Sequence, residues 1–276
     1  MLDVANLEEL ERFTRSAPSV CVTVSDTKGS TPRIAGTVML VSANKTLGTI
    51  GGGQLEFMAI DAARAMLVSG SPAESLSVPL GPEIGQCCGG RVVLSLRALT
   101  DAYASELKEQ TKELLASGPH VLIFGAGHVG RALASAMSPL PVNASLIDNR
   151  QEELELADPT VSLTASILPE SLIRQAPPGS AYIILTHDHA LDFLLAREAL
   201  ERTDAAYIGM IGSKTKRATF ASWHAKEIGT DGSIDRLTMP IGGNRSRDKR
   251  PTVIAAFVAA EVMEAVSLWQ DVQVPA

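Results

Sequence analysis

Two adjacent cysteines sit inside a glycine clamp, Gly85-Gln86-Cys87-Cys88-Gly89-Gly90. The spacing is not Cys-x-x-Cys, so neither a thioredoxin-type redox pair nor a zinc knuckle is supported. A disulfide between neighbours would close a strained small ring. If the segment is extended, successive side chains face opposite ways, so one sulfur packs inward and the other faces whatever the glycines admit. Two small apolar residues opening a buried strand are the plainer alternative, since free cysteine is often buried. The flanking glycines point instead to backbone held bare for close approach.

Gly125-Ala126-Gly127-His128-Val129-Gly130 follows the apolar run Val121 to Phe124 and opens a helix, and the next apolar run ends in Asp148. That acid lies at the distance where a ribose-binding carboxylate is expected. The glycines would let backbone approach a pyrophosphate, and the helix start supplies unpaired amides and positive potential. A tight strand-to-helix turn with no ligand is the alternative. His128 is within reach of anything bound over the helix end. His187-Asp188-His189 closes a later strand, where ligands bind in such sheets. His-x-His suits a metal, but Thr186 or Asp188 as the cap of the helix reaching Leu200 is the preferred reading.

Further along, Tyr207 to Arg217 repeats the strand, glycine, basic-helix theme, with Ser213 as an N-cap. Lys214, Lys216 and Arg217 either contact phosphate or form a solvated helix face, and for each alone the solvated face is preferred. In the first half, Gly48-Thr49-Ile50-Gly51-Gly52-Gly53-Gln54-Leu55-Glu56 is another bare turn entering a helix, suited to an oxyanion or phosphate. Ser30, Thr31 and Arg33 add hydrogen-bond donors nearby in sequence. Three such loops in one small domain suggest function more than framework. With no obvious acid–base pair beside them, they look built to hold something.

The elements that must carry these loops fall into two groups. Asn6 and Glu9 start a helix with Leu7, Leu10 and Phe13 on one face. Strands are expected at Val20 to Val24, Thr37 to Val41, Leu47 to Ile50, Ser75 to Leu80 and Arg91 to Leu99, with a polar loop at Asp26 to Arg33 and a helix from Gln54 to Ser69. This first domain, residues 1–100, is mixed α+β. A helix over 101–118 links it to a second domain, 119–276. There, strands at Val121–Phe124, Ala144–Ile147, Tyr182–Leu185 and Tyr207–Ile211 alternate with helices at Val129–Met137, Leu191–Leu200, Lys214–Ala225 and Thr252–Val266. Alternation of this kind predicts an α/β, Rossmann-like parallel sheet with helices on both faces.

The net charge of −7 argues against nucleic-acid partners and against an anionic membrane surface. No run is expected to approach the length needed to span a bilayer, and Met1 to Glu11 does not resemble a signal peptide. Three cysteines do not make a disulfide framework, so the chain reads as reduced and cytoplasmic. Aromatic residues are only 4% of the chain, which leaves the interior mostly aliphatic.

Gly29-Ser30-Thr31-Pro32-Arg33, Gly48 to Glu56 and Cys88-Gly89-Gly90-Arg91-Val92 together resemble the signature of the XdhC/CoxI family, the xanthine dehydrogenase accessory proteins. The second half matches in Phe124 to Gly130, Thr186-His187-Asp188-His189 and Tyr207 to Ser213, so the resemblance spans roughly residues 19 to 267. It implies a small N-terminal domain before a Rossmann-like one, and a non-enzymatic chaperone for the molybdopterin-based molybdenum cofactor. Such a protein shields the cofactor, supports its sulfuration by a cysteine desulfurase, and helps insert it into the molybdenum-binding subunit of xanthine dehydrogenase or a related hydroxylase. Cofactor-binding candidates are then Ser30, Arg33, Gly51, Gly52, Gly53, Gln54, Cys88, Gly89, Gly90, Gly125, Gly127, His128, Gly130, Asp148, His187 and His189. Cys88 is the candidate ligand to the cofactor's molybdenum, a soft thiolate beside the metal end of the cofactor, with Cys87 on the other face. A homodimer cleft is one way to shield so large a cargo.

After Pro240-Ile241-Gly242 many relatives continue Leu-Asp-Ile-Gly-Ala, whereas this chain carries a basic cluster, Arg245 to Arg250. It could meet cofactor phosphate or an acidic partner, or be a solvated loop. Two other functions remain open from the residues: an NAD(P)-dependent oxidoreductase, resting on the glycine fingerprint and Asp148, and a nucleotide-sensing interaction module.

Overall fold

The structure is a computed structural model, and the residues it describes are 7–81, 89–158, 160–228, 233–243 and 248–273. The chain divides into two compact units, Met1–Ala116 and Ser117–Ala276.

The first unit is built on strands β1 (Ser19–Lys28), β2 (Val38–Ser42), β3 (Thr46–Gly48), β4 (Ala73–Pro79) and β5 (Arg91–Ala98). They form an antiparallel sheet in the order β3-β2-β1-β5-β4. Because strand side chains alternate, β1 sends Val20, Val22 and Val24 to one face and Cys21 to the other. The valines pack with Leu55, Ala59, Ala63 and Met66 of helix α2 (Gly53–Ser69). Cys21 joins Leu10 and Phe13 of α1 (Leu7–Ser16) and Leu107 of α3 (Asp101–Ala116). The linking helix of the sequence reading is thus packed on the first sheet. The polar pattern from Asp26 predicts a loop, but β1 runs on to Lys28. A bulge between Val24 and Asp26 lets Asp26, Thr27 and Lys28 pair with Val93, Val92 and Arg91 of β5. Cross-strand hydrogen bonding carries the strand past the point where its hydrophobic pattern stops.

The second unit holds strands β6 (His120–Phe124), β7 (Asn143–Asp148), β8 (Ser162–Ala165), β9 (Ala181–Ile184), β10 (Tyr207–Met210) and β11 (Leu237–Thr238). All pairings are parallel, in the order β11-β10-β9-β6-β7-β8. Read from the other edge, this is the doubly wound order whose topological switch falls between the first and fourth strands of the unit, here β6 and β9. One face packs on α4 (His128–Met137) and α9 (Pro251–Gln273), the other on α6 (Glu170–Gln175), α7 (His189–Glu201) and α8 (Lys214–Ile228). A short α5 (Gln151–Leu154) follows β7. The Rossmann-like reading of this half is correct. The sequence reading missed β8, β11, α5 and α6, which are too short for a periodic signal.

One expectation needs correcting. The segment Pro251–Val272 is a helix long and apolar enough, by length and composition alone, to cross a membrane. Val258, Val262 and Val266 pack in the core against the α4 side of the sheet, so core contact accounts for part of that apolar character.

Candidate functional site

In the first unit the three loops singled out in sequence meet. An added Cβ at Gly90 would lie 2.2 Å from the Ser30 carbonyl oxygen and 2.7 Å from that of Lys28. At Gly51 it would lie 2.6 Å from Cγ of Pro32. Backbone therefore touches backbone between the 89–90 and 28–30 segments, and the 49–53 turn packs against Pro32. A bridge between Ser30 and Gly89, with the amides of Gly89 and Leu80 bonded to the carbonyls of Leu80 and Gly90, ties the first junction to the β4–β5 connection. Side chains at 51 and 90 would hold the loops apart, which is why these positions are glycine. Gly51 also has φ of 122°, outside the range L side chains favour.

The glycine pattern of the 49–53 turn predicts bare amides awaiting an anion. They are mostly in use. Oε2 of Glu56 accepts from Oγ1 of Thr49 at 2.5 Å, from the Ile50 amide at 3.2 Å and from the Gly52 amide at 3.1 Å. The Gly51 amide donates to Oγ1 of Thr49. A carboxylate thus serves as the turn's internal anion, and Glu56 and Thr49 are structural partners that sequence reasoning did not single out. Their signal was the Thr…Glu pair bracketing the glycines. Gly53 and Gln54 at the start of α2 remain exposed, as do Ser30 and Gly89, while Arg33 is half-buried. Cys87 and Cys88 lie outside the described residues. Among the described residues no three His, Cys, Asp or Glu side chains stand close enough to hold a metal ion.

In the second unit the glycine turn sits at the C-terminal end of β6, at the switch point. Its three glycines have different reasons. A Cβ at Gly125 would meet the Leu185 carbonyl oxygen at 2.4 Å, and one at Gly130 would meet the Gly125 carbonyl oxygen at 1.8 Å, so these two permit internal close packing. Gly127 has an ordinary φ of −66°, and nothing lies within 4 Å of where its Cβ would be. Neither packing nor backbone conformation requires glycine there. As the N-cap of α4, Gly127 lends no side-chain bond to the first amides and leaves the start of the helix uncovered.

Beside this turn lies a small cleft, lined among others by Gly125, Asp148, Ser166, Ile167, Thr186 and His187. Asp148 does not present a free carboxylate to it. Oδ2 accepts from the Ala126 amide at 2.7 Å and from Nη2 of Arg150 at 2.8 Å; Oδ1 accepts from the amide and Nε of Arg150, each at 3.0 Å. Burial works to raise the pKa of Asp148, but the Arg150 guanidinium and the Ala126 and Arg150 amides outweigh it and hold it below the ordinary value. Arg131 completes the clamp on residue 126, donating from Nη1 to the Ala126 carbonyl at 2.6 Å and to Glu153 at 2.5 Å.

The remaining candidates divide. Asp188 is the N-cap of α7, accepting from the Ala190 and Leu191 amides, so the capping role preferred for it holds. His128, His187 and His189 are exposed, and His187 lines the cleft. Lys216 and Arg217 do not form a solvated face, because both are engaged within the protein. Lys216 forms an ion pair with fully buried Asp192, which also accepts from the amide and hydroxyl of Thr186. Arg217 donates to the Leu237 and Ile234 carbonyls. Of the basic cluster, Arg245 to Arg247 lie outside the described residues, while Arg250 is forked onto Asp248.

Comparison with known proteins adds three findings. The XdhC Rossmann domain family matches residues 121–262, and the XdhC and CoxI family matches residues 14–78. An uncharacterised protein of Escherichia coli K12, YqeB, is 25% identical over 274 residues, covering 95% of this chain and 45% of its own length, so this chain spans less than half of that relative. A crystal structure described as a xanthine dehydrogenase from Bacillus halodurans superposes with a TM-score of 0.77, covering 97% of this chain and 96% of the other, at 18% identity. At that identity the likeness concerns the fold.

Proposed function

The chain belongs to the XdhC and CoxI family, and from that premise we propose that it serves the maturation of xanthine dehydrogenase or a related molybdenum hydroxylase. It carries the molybdopterin-based cofactor, supports its sulfuration by a cysteine desulfurase and delivers it to the molybdenum-binding subunit. The observation that carries this reading is the convergence of the three glycine loops in the first unit, where Gly90 and Gly51 are held against the 28–33 segment by contacts no larger residue permits. A site made this way presents backbone and small side chains, which suits a cargo that must be held, shielded and released. Ser30, Gly53 and Gln54 are the exposed donors of that surface, with exposed Gly89 beside them as bare backbone whose amide is bonded to the Leu80 carbonyl. Cys88 continues directly into it along the chain and is the thiolate offered to molybdenum.

Within the second unit, the open face of Gly127 favours a nucleotide with its phosphate over the start of α4.

The direct test is reconstitution. Apo-xanthine dehydrogenase is incubated with cofactor-loaded protein or with an equal amount of free cofactor. Faster and more complete activation by the loaded protein supports delivery. Equal activation by free cofactor contradicts it.

A further inference from the structure

We infer that Arg150 is a built-in occupant of the ribose-binding carboxylate of the second unit, so that a ribonucleotide enters the cleft only by displacing Arg150 toward Glu153. The inference rests on the nucleotide reading of the cleft and names what regulates entry to it.

Asp148 stands at the end of β7, where a doubly wound sheet places the acid that accepts the 2′- and 3′-hydroxyls of a ribose. A carboxylate offers about four acceptor directions. All four are taken here: one by the Ala126 amide, and three by the amide, Nε and Nη2 of Arg150. The two guanidinium donors form a fork of adjacent N–H groups on the carboxylate. A vicinal diol presents the same pattern, two neighbouring donors aimed at two oxygens. Arg150 thus mimics the ligand it would exclude. The side chain of Asp148 is only 3% exposed although the residue lines the cleft, whereas that of Arg150 is 28% exposed and able to move outward.

A second resting place is already present. Nη1 of Arg150 lies 3.7 Å from Oε1 of Glu153, whose other oxygen holds Arg131. When a ribose takes Asp148, Arg150 keeps a carboxylate partner by moving one helical turn along. The Ala126 bond to Asp148 is unaffected by that exchange, so the glycine turn stays in place for the phosphate. Of the two ligand classes compatible with a basic residue here, a 2′-phosphate would meet Asp148 and Glu153 at close range, and the diol would not be penalised by them. The class favoured is therefore a ribonucleotide with a free 2′-hydroxyl.

Equilibrium binding of adenosine monophosphate and of its 2′-deoxy analogue is measured by calorimetry on the full chain. The proteins compared are the wild type, Arg150→Ala, and Arg150→Met, which keeps the side-chain stem should the alanine fold poorly. The expectation is weak binding by the wild type with little preference between the two nucleotides. Releasing the carboxylate should tighten adenosine monophosphate about tenfold in either variant and leave the deoxy analogue nearly unchanged. Unchanged or weaker binding of adenosine monophosphate by the variants, or an equal gain for both nucleotides, overturns the role of Arg150. No binding of either nucleotide by any of the three proteins overturns the nucleotide reading itself.

Discussion

Replacing Gly90 by alanine isolates the contact that assembles the candidate cofactor surface. The added Cβ would fall 2.2 Å from the Ser30 carbonyl oxygen and 2.7 Å from that of Lys28, both backbone atoms that cannot rotate away. To reach even 3.0 Å, the 90 and 28–30 segments must part by about 0.8 Å, and the pairing of β1 with β5 next to Lys28 resists this. Overpacking of this kind costs about 1–3 kcal/mol. For a unit of this size that is a fall of roughly 5–15 °C in melting temperature. Gly89→Ala is the matched control: nothing lies within 4 Å of its Cβ, so only the cost of φ near +66° remains, about 1–2 kcal/mol. Hydrogen-exchange mass spectrometry separates the two. Gly90→Ala should speed exchange in peptides covering residues 28–33, while peptides from β6 and β7 stay as in the wild type. Gly89→Ala should leave the 28–33 peptides nearly unchanged. If Gly90→Ala is no less stable than the wild type and its 28–33 peptides exchange normally, the loops are not held together by this contact, and the reasoning fails.

The other predictions concern buried charge. Lys216→Met leaves the fully buried Asp192 without its cation and should cost about 3–5 kcal/mol in urea unfolding; adding Asp192→Asn should recover part of that loss, and an additive double mutant would refute the pairing. Glu56→Ala removes the acceptor shared by Thr49 and the Ile50 and Gly52 amides, with an expected loss of about 1–3 kcal/mol and faster exchange in the 49–53 turn. Asp148 has a folded-state pKa below its unfolded value of about 3.9, so its contribution to stability is present above that value and is lost as pH falls through the folded one. Unfolding free energies measured between pH 2 and 7 should therefore fall more steeply on the acid side for the wild type than for Asp148→Asn.

Much of the second unit could be read from sequence because its strands are buried on both faces. Runs such as Val121–Phe124 and Tyr207–Ile211 are continuous apolar segments, separated by glycine turns with caps. The short β8 and β11 carry no such run; their pairing to β7 and β10 places them, and pairing is invisible in a linear pattern. The same holds for Asp26 to Lys28, which are polar yet belong to β1 because β5 is there to bond them. At the candidate sites, positions were readable and partnerships were not. Gly127 and Gly51 stand out as glycines, but only geometry distinguishes the one with no internal need for glycine from the one that Pro32 requires. Asp148 was found by its spacing, whereas its saturation by Arg150 depends on a side chain two residues away turning back. Lys216 is expected at the surface because a basic helix start usually faces water, but Asp192 draws it inward.

The central claim is that the first unit holds a molybdopterin-based cofactor. Its most direct measurement is the molybdenum and pterin content of the full-length protein purified natively from a host that makes the cofactor, beside Cys88→Ser and Gly90→Ala. Molybdenum and pterin should co-purify in equal amounts with the wild type, and both should fall sharply in Gly90→Ala. In Cys88→Ser molybdenum should fall further than pterin. A wild-type protein that carries neither under cofactor-replete conditions contradicts the account.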